Sequence, residues 1–103
     1  MIFAKVVGSV VCTQKDRNLS GLKLMLCREA DHAGTLLEAY HVAVDAVQAG
    51  IGDFVLLSYG SSARMTEITR NAPVDAVIMS IVDDVQITEK APKPQAGGKH
   101  AAR

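Results

Sequence analysis

From Ile2 to Thr13 the chain alternates with a period of two. Ile2, Ala4, Val6, Gly8, Val10 and Cys12 form a wholly apolar face, opposed by the mixed series Phe3, Lys5, Val7, Ser9, Val11 and Thr13. Such alternation predicts a long strand with one face in a core. Gly8 inside it marks a bend or bulge of the kind that lets a small sheet curl. The polar run 14–21 has no periodicity and ends in the turn signal Ser20-Gly21. A second strand is predicted over 22–27, with Leu22, Leu24 and Leu26 on one face and Lys23, Met25 and Cys27 on the other. Residues 28–38, containing Asp31, His32 and Gly34, read as a surface loop. A third strand follows over 40–47, with Val42, Val44 and Ala46 inward and His41, Ala43 and Asp45 alternating with them.

Gly50-Ile51-Gly52 predicts a tight reversal that feeds a fourth strand, Phe54 to Tyr59. The corner that follows, Gly60-Ser61-Ser62-Ala63-Arg64, is built of small residues and ends in a cation. Ser61 or Ser62 is the expected N-cap of a short helical turn over 63–67, which puts Arg64 on a compact polar protrusion. After a polar link through Arg70-Asn71-Ala72-Pro73, a last strand is predicted from Asp75 to about Ile87. Five strands and one short helix make the fold mainly β, a small, partly closed OB-like barrel. Residues 1–88 form this domain. Residues 89–103 concentrate Pro, Gly and Lys without apolar periodicity and read as a flexible tail, whose simplest role is a solvated end.

The fourth and fifth strands carry more apolar surface than one small barrel needs. Phe54 and Leu56 oppose Val55 and Leu57, while Ala76, Ile78 and Val82 oppose Val77, Met79, Ile81 and Val85. Large apolar surfaces on soluble proteins mark contacts, so the pattern predicts a homo-oligomer with Phe54, Val55, Leu57, Val77, Met79 and Ile81 at or near the subunit interface.

Composition narrows the functional classes. Eleven basic and eleven acidic residues cancel, so the overall balance points neither to nucleic acid nor to an anionic membrane. The first residues lack a signal-peptide pattern and no apolar run approaches a membrane span, which predicts a soluble cytoplasmic protein. Cys12 and Cys27 lie in apolar runs outside any C-x-x-C pair and read as two buried free thiols, in preference to a disulfide. His32, His41 and His100 have no second ligand at metal spacing. No metal, cofactor or catalytic set is expected.

The short motifs that resemble chemistry fail on context. Ser20-Gly21-Leu22-Lys23 fits S-x-x-K without its companion triads, and Gly60-Ser61-Ser62-Ala63-Arg64 has Arg64 where a nucleophile elbow has glycine. Gly50-x-Gly52 falls short of a phosphate-binding fingerprint. Asp45, Asp53, Asp75, Asp83 and Asp84 sit at strand ends, where turn roles are commoner. A nucleic-acid-binding OB module is the alternative reading. It wants aromatic platforms and a basic groove, and this chain offers only Phe3, Phe54, Tyr40 and Tyr59.

Several stretches taken together resemble a known family. Lys5-Val6-Val7-Gly8-Ser9-Val10-Val11 with Thr13-Gln14-Lys15, Leu19-x-Gly21-Leu22-Lys23-Leu24, Val44-Asp45-Ala46-Val47-x-Ala49-Gly50-x-Gly52, Gly60-Ser61-Ser62-Ala63-Arg64, Pro73-Val74-Asp75-Ala76 and Ile81-Val82-Asp83 are similar to the bacterial microcompartment vertex proteins of EutN/CcmL type. The likeness spans residues 1 to about 88. It departs at Gln48, where the family usually has glycine, and at Asp53, where it usually has glutamate. The resemblance implies a homopentamer of OB-like barrels that plugs the fivefold corners of a polyhedral shell, beside hexameric and trimeric shell tiles. It also implies that the Gly60 to Arg64 corner approaches the fivefold axis.

Overall fold

A computed structural model describes residues 1–70 and 72–89. It contains five strands: β1 (Ile2–Val10), β2 (Leu24–Ala30), β3 (Leu36–Asp45), β4 (Phe54–Tyr59) and β5 (Ala76–Ile81). They close into a barrel in the order β1-β2-β3-β5-β4. All neighbours are antiparallel except β3 and β5, which run parallel over the short register Val44–Val77 and Asp45–Ile78. Two short 3-10 segments, Arg17–Leu19 and Gly60–Arg64, complete the described elements. The tail assigned to residues 89–103 lies outside the described residues apart from Glu89.

The barrel interior is filled by alternate residues of every strand. Ala4 and Val6 of β1, Met25 and Cys27 of β2, Ala43 of β3, Val55 and Leu57 of β4, and Ala76 and Ile78 of β5 form one buried cluster. A second, smaller cluster lies outside the barrel wall, where Ala63 covers Val44 and Val77, with Leu22, Leu24 and Val74 packed around it. The predicted inner face of β1 is the observed one, and the β1–β2 register shifts between Val6 and Gly8, where the glycine signalled a bulge.

The predicted inward face of β3 is reversed, and of the two faces of β2 it is the one bearing Met25 and Cys27 that turns inward. Met25, Cys27 and Ala43 point into the core, whereas Leu24 and Leu26 are half-buried and Val42 is exposed. The interior already holds Val6, Val55, Leu57 and Ile78, and Met25, Cys27 and Ala43 complete it. The leucines Leu22 and Leu24 then pack in the outer cluster.

Strand ends follow their partners. β1 stops at Val10, opposite the first residue of β2, so Val11 and Cys12 are exposed, and Cys12 is not the buried thiol expected of it. β5 stops at Ile81 and not at Ile87, because β4 begins at Phe54 and the Val82 amide donates the last bond, 2.7 Å, to the Phe54 carbonyl. The expected loop 28–38 shrinks to a turn. β2 continues to Ala30, β3 begins at Leu36, and the Asp31 carboxylate accepts the amides of Ala33 and Thr35, both at 2.9 Å. Those backbone donors, Thr35 foremost, hold the Asp31 carboxyl below its usual range.

Two turns position the rest. Asp45 ends β3 by accepting the amides of Val47 (3.0 Å) and Ala49 (3.1 Å) on Oδ1, with Lys23 Nζ 3.7 Å from Oδ2. The reversal at 50–53 is closed by Asp53, whose Oδ2 accepts the Gly50 amide at 2.7 Å. Gly52 there has φ +95°, a conformation that disfavours residues with a Cβ.

Candidate functional site

The 60–64 corner is the protrusion its composition predicts, built differently. No serine caps it. Tyr59 is the N-cap residue without a side-chain cap bond, and the segment is a single 3-10 turn over Gly60–Arg64. Gly60 turns the chain at φ +61°, and its amide donates to the Asp75 carbonyl at 2.8 Å, tying the corner to the start of β5. Ser62 Oγ donates back to the Tyr59 carbonyl at 2.6 Å and accepts from Ser58 Oγ at 2.9 Å. Ala63 is fully buried against Val44 and Val77. Gly60, Ser61, Ser62 and Arg64 are exposed, and Arg64 Nη1 donates to the Val74 carbonyl at 3.3 Å. The result is a rigid, small-residue corner anchored by one alanine and presenting a guanidinium.

The strand set expected at an interface divides in two. Val55 and Leu57 point into the barrel and Val77 lies under Ala63, all three with no exposed surface, so they have nothing to offer a neighbour. That corrects their assignment, because part of the apolar surplus of β4 and β5 is absorbed by the barrel interior and by the chain's own corner. Phe54 remains on the outer wall, whereas Met79 packs against the corner cluster and Ile81, 39% exposed as the last residue of β5, pairs opposite the inward Val55. Phe54 is stacked on Phe3 of β1 with ring centroids 5.3 Å apart, which extends the outer apolar face across two strands.

Sequence reasoning missed a polar trio at one barrel end. Tyr59 Oη, His41 and Glu29 meet there, with the hydroxyl 2.8 Å from His41 Nε2 and Glu29 Oε1 3.1 Å from the same nitrogen. Burial first, then the carboxylates of Glu29 and Asp75, push the Tyr59 hydroxyl above its ordinary value. Inward parity on β2, β3 and β4 was the available signal, obscured because Glu29 falls in the expected loop 28–38 and His41 on the expected outer face of β3. Among the described residues no three His, Cys, Asp or Glu side chains are grouped to hold a metal ion. No helix there is long and apolar enough to cross a membrane.

Comparison with known proteins points the same way as this geometry. Residues 1–83 match the family described as ethanolamine utilisation protein EutN/carboxysome. The carboxysome shell vertex protein CcmL of a Nostoc species is 44% identical over 91 residues, covering 87% of this chain and 90% of the relative. The bacterial microcompartment shell vertex protein PduN of Salmonella typhimurium is 45% identical over 87 residues, covering 81% and 96%. Among solved structures, the pentameric microcompartment shell protein GrpN of Rhodospirillum rubrum superposes with a TM-score of 0.76 at 38% identity, covering 84% of this chain and all of that one.

Proposed function

The chain belongs to the EutN/CcmL family, and on that premise we propose that five copies form a closed ring that caps the fivefold corners of a bacterial microcompartment shell in the cytoplasm. The observation that carries the reading is a barrel whose interior is already full yet which keeps Phe3, Phe54 and Leu56 on its outer wall, each only half-buried. Covering such a face with another copy removes it from water, a favourable term of about 25 cal/mol per Å² of apolar surface. Relatives named as shell vertex proteins and a neighbour named as pentameric support the same stoichiometry.

The corner suits an axis. Five copies converge there, so its exposed positions must be small, and Gly60, Ser61 and Ser62 are. Five guanidiniums at short range repel unless each finds a partner, so Arg64 pairs with a carboxylate of the adjacent copy. The ring performs no reaction of its own. Its partners are the hexameric and trimeric tiles of the shell facets, and it binds neither nucleic acid nor membrane. Native mass spectrometry of the full chain at micromolar concentration tests the ring. A species of five times 10.9 kDa is expected, and mainly monomer or dimer overturns it.

A further inference from the structure

Three strands change character at the same end of the barrel. β2 runs inward through Met25 and Cys27 to Glu29, β3 through Ala43 to His41, and β4 through Val55 and Leu57 to Tyr59. Each apolar column thus ends on a side chain with a nitrogen or oxygen donor. Their ladder neighbours are small, with Ala4 opposite Glu29, Cys27 opposite His41 and Ala76 opposite Tyr59. Solvent reaches the group, since the side chains of His41 and Glu29 are 22% and 28% exposed.

Atoms bound to one zinc-sized ion at about 2.0–2.2 Å stand roughly 3 Å from one another. Glu29 Oε1 is 3.1 Å from His41 Nε2, and Tyr59 Oη is 2.8 Å from the same nitrogen. Tyr59 Oη is also 3.0 Å from Nδ1, so a turn of the imidazole is what aims the Nε2 lone pair between the two oxygens. The charge around the trio is negative. Asp75 adds a second carboxylate close enough, with Glu29, to disfavour a phenolate at Tyr59, and among the described residues neither carboxylate is paired with a lysine or arginine. A cation reverses that sign, because carboxylates that oppose a phenolate attract a metal ion.

We propose that His41 Nε2, Glu29 Oε1 and Tyr59 Oη form a three-donor site for a divalent transition-metal ion of the zinc kind, with water in the open position. Imidazole nitrogen and anionic oxygen are donors that zinc accepts, and three protein ligands with one open place is an arrangement it adopts. As the Tyr59 oxygen bonds the ion, its proton passes to solvent. The third donor is a phenol, which is why a grouping of His, Cys, Asp and Glu alone does not contain the site. The ion ties β2, β3 and β4 together one residue before the 60–64 corner begins, so its role is to brace the barrel and not to react. The site lies within one chain and stands or falls independently of the ring.

The sequence makes the test clean. There is no tryptophan, Tyr40 and Tyr59 are the two tyrosines, and zinc(II), with its filled d shell, adds no absorption of its own. Zinc chloride is titrated into the full chain at neutral pH while the near-ultraviolet phenolate band and the melting temperature are followed. The proposal expects a phenolate band that saturates at one zinc per chain and a melting temperature that rises with zinc. Tyr40→Phe should keep the band, and Tyr59→Phe should lose it. His41→Gln should lose both the band and the thermal shift, and Tyr59→Phe carries the test alone should His41→Gln fail to give a cooperative melt. Zinc held elsewhere, at His32 for example, produces no Tyr59-dependent band. Absence of the band in the wild type, or its survival in Tyr59→Phe, overturns the site.

Discussion

Replacing Asp45 with alanine should be among the most damaging single changes available in this barrel. The Asp45 side chain is 1% exposed, and its Oδ1 accepts two amides, those of Val47 at 3.0 Å and Ala49 at 3.1 Å. The Ala49 amide is buried, and Ala49 itself belongs to the core cluster. Hydrogen bonds to a charged group contribute about 1.5–3 kcal/mol each, and a buried donor left without a partner costs about 1–3 kcal/mol. Alanine removes the acceptor for both amides, so a loss of about 3 kcal/mol is expected once the relief from desolvating a carboxylate is allowed for. Asparagine keeps an oxygen acceptor and gives up only the charge. Its ion-pair partner Lys23 is 58% exposed, and contacts of that kind contribute about 0–1 kcal/mol. Asp45→Asn should therefore cost about 1 kcal/mol. Urea unfolding at one fixed protein concentration, which holds the assembly contribution constant, measures both. Equal, small losses for the two variants would refute the idea that this carboxylate pins the end of β3 and the turn after it.

Gln48, Cys27 and Ser62 each carry further expected outcomes. Gln48 sits at φ +61°, where a left-handed conformation costs an L-residue roughly 1–2 kcal/mol, while glycine's freer unfolded chain takes back about 0.4–1 kcal/mol; Gln48→Gly should raise stability by up to about 1 kcal/mol in the same urea titration. Cys27 is buried and its thiol is pushed up to about 11, by burial first and by the Asp45 carboxylate second, whereas Cys12 is exposed. A thiol reagent should thus modify one cysteine in the native chain and two in denaturant. The folded chain also holds the Cys27 proton where the unfolded chain releases it, so this group's contribution is present below the ordinary thiol value and is lost as pH rises to about 11. At the corner, Ser62→Ala gives up the bonds to Tyr59 and Ser58 and should cost about 1 kcal/mol. Ser62→Trp should also break or distort the ring by crowding five indoles at the axis, and an unchanged native mass and melting temperature for Ser62→Trp would place the corner away from it.

The barrel was legible where one face of a strand is plainly apolar and the other is not. β1 showed its inner face and its bulge at Gly8, and β4 its limits, because Gly50-x-Gly52 and Gly60 punctuate it on both sides. The faces of β2 and β3 were not legible, because both sides of these strands bear apolar residues and period two alone cannot choose between them. What decided the matter was tertiary. The interior takes Met25, Cys27 and Ala43, and the outer leucines are covered by Ala63 and its neighbours. The same two-sided covering removed Val55, Leu57 and Val77 from the expected interface. The β2–β3 hairpin was hidden by Asp31, His32 and Gly34, whose turn chemistry reads as a long loop but occupies only the hairpin's tip. Gln48 is the instructive departure. The family resemblance marked it as standing in a glycine's place, and the backbone there does adopt a glycine-like angle.

Fivefold closure of a shell, with no chemistry of its own, is the role proposed for this chain. Tiles of sixfold symmetry cover a plane or roll into a tube, and a convex polyhedron cannot close without fivefold defects. Electron microscopy of shells assembled from recombinant tiles, with and without this protein, tests that role. With it, closed isometric particles should form. Without it, and with no other vertex protein present, the particles should be elongated or open, while any enclosed enzymes keep the activity they show in free solution. Closed isometric shells in its absence, or loss of an activity measurable in the free enzymes, would rule this role out.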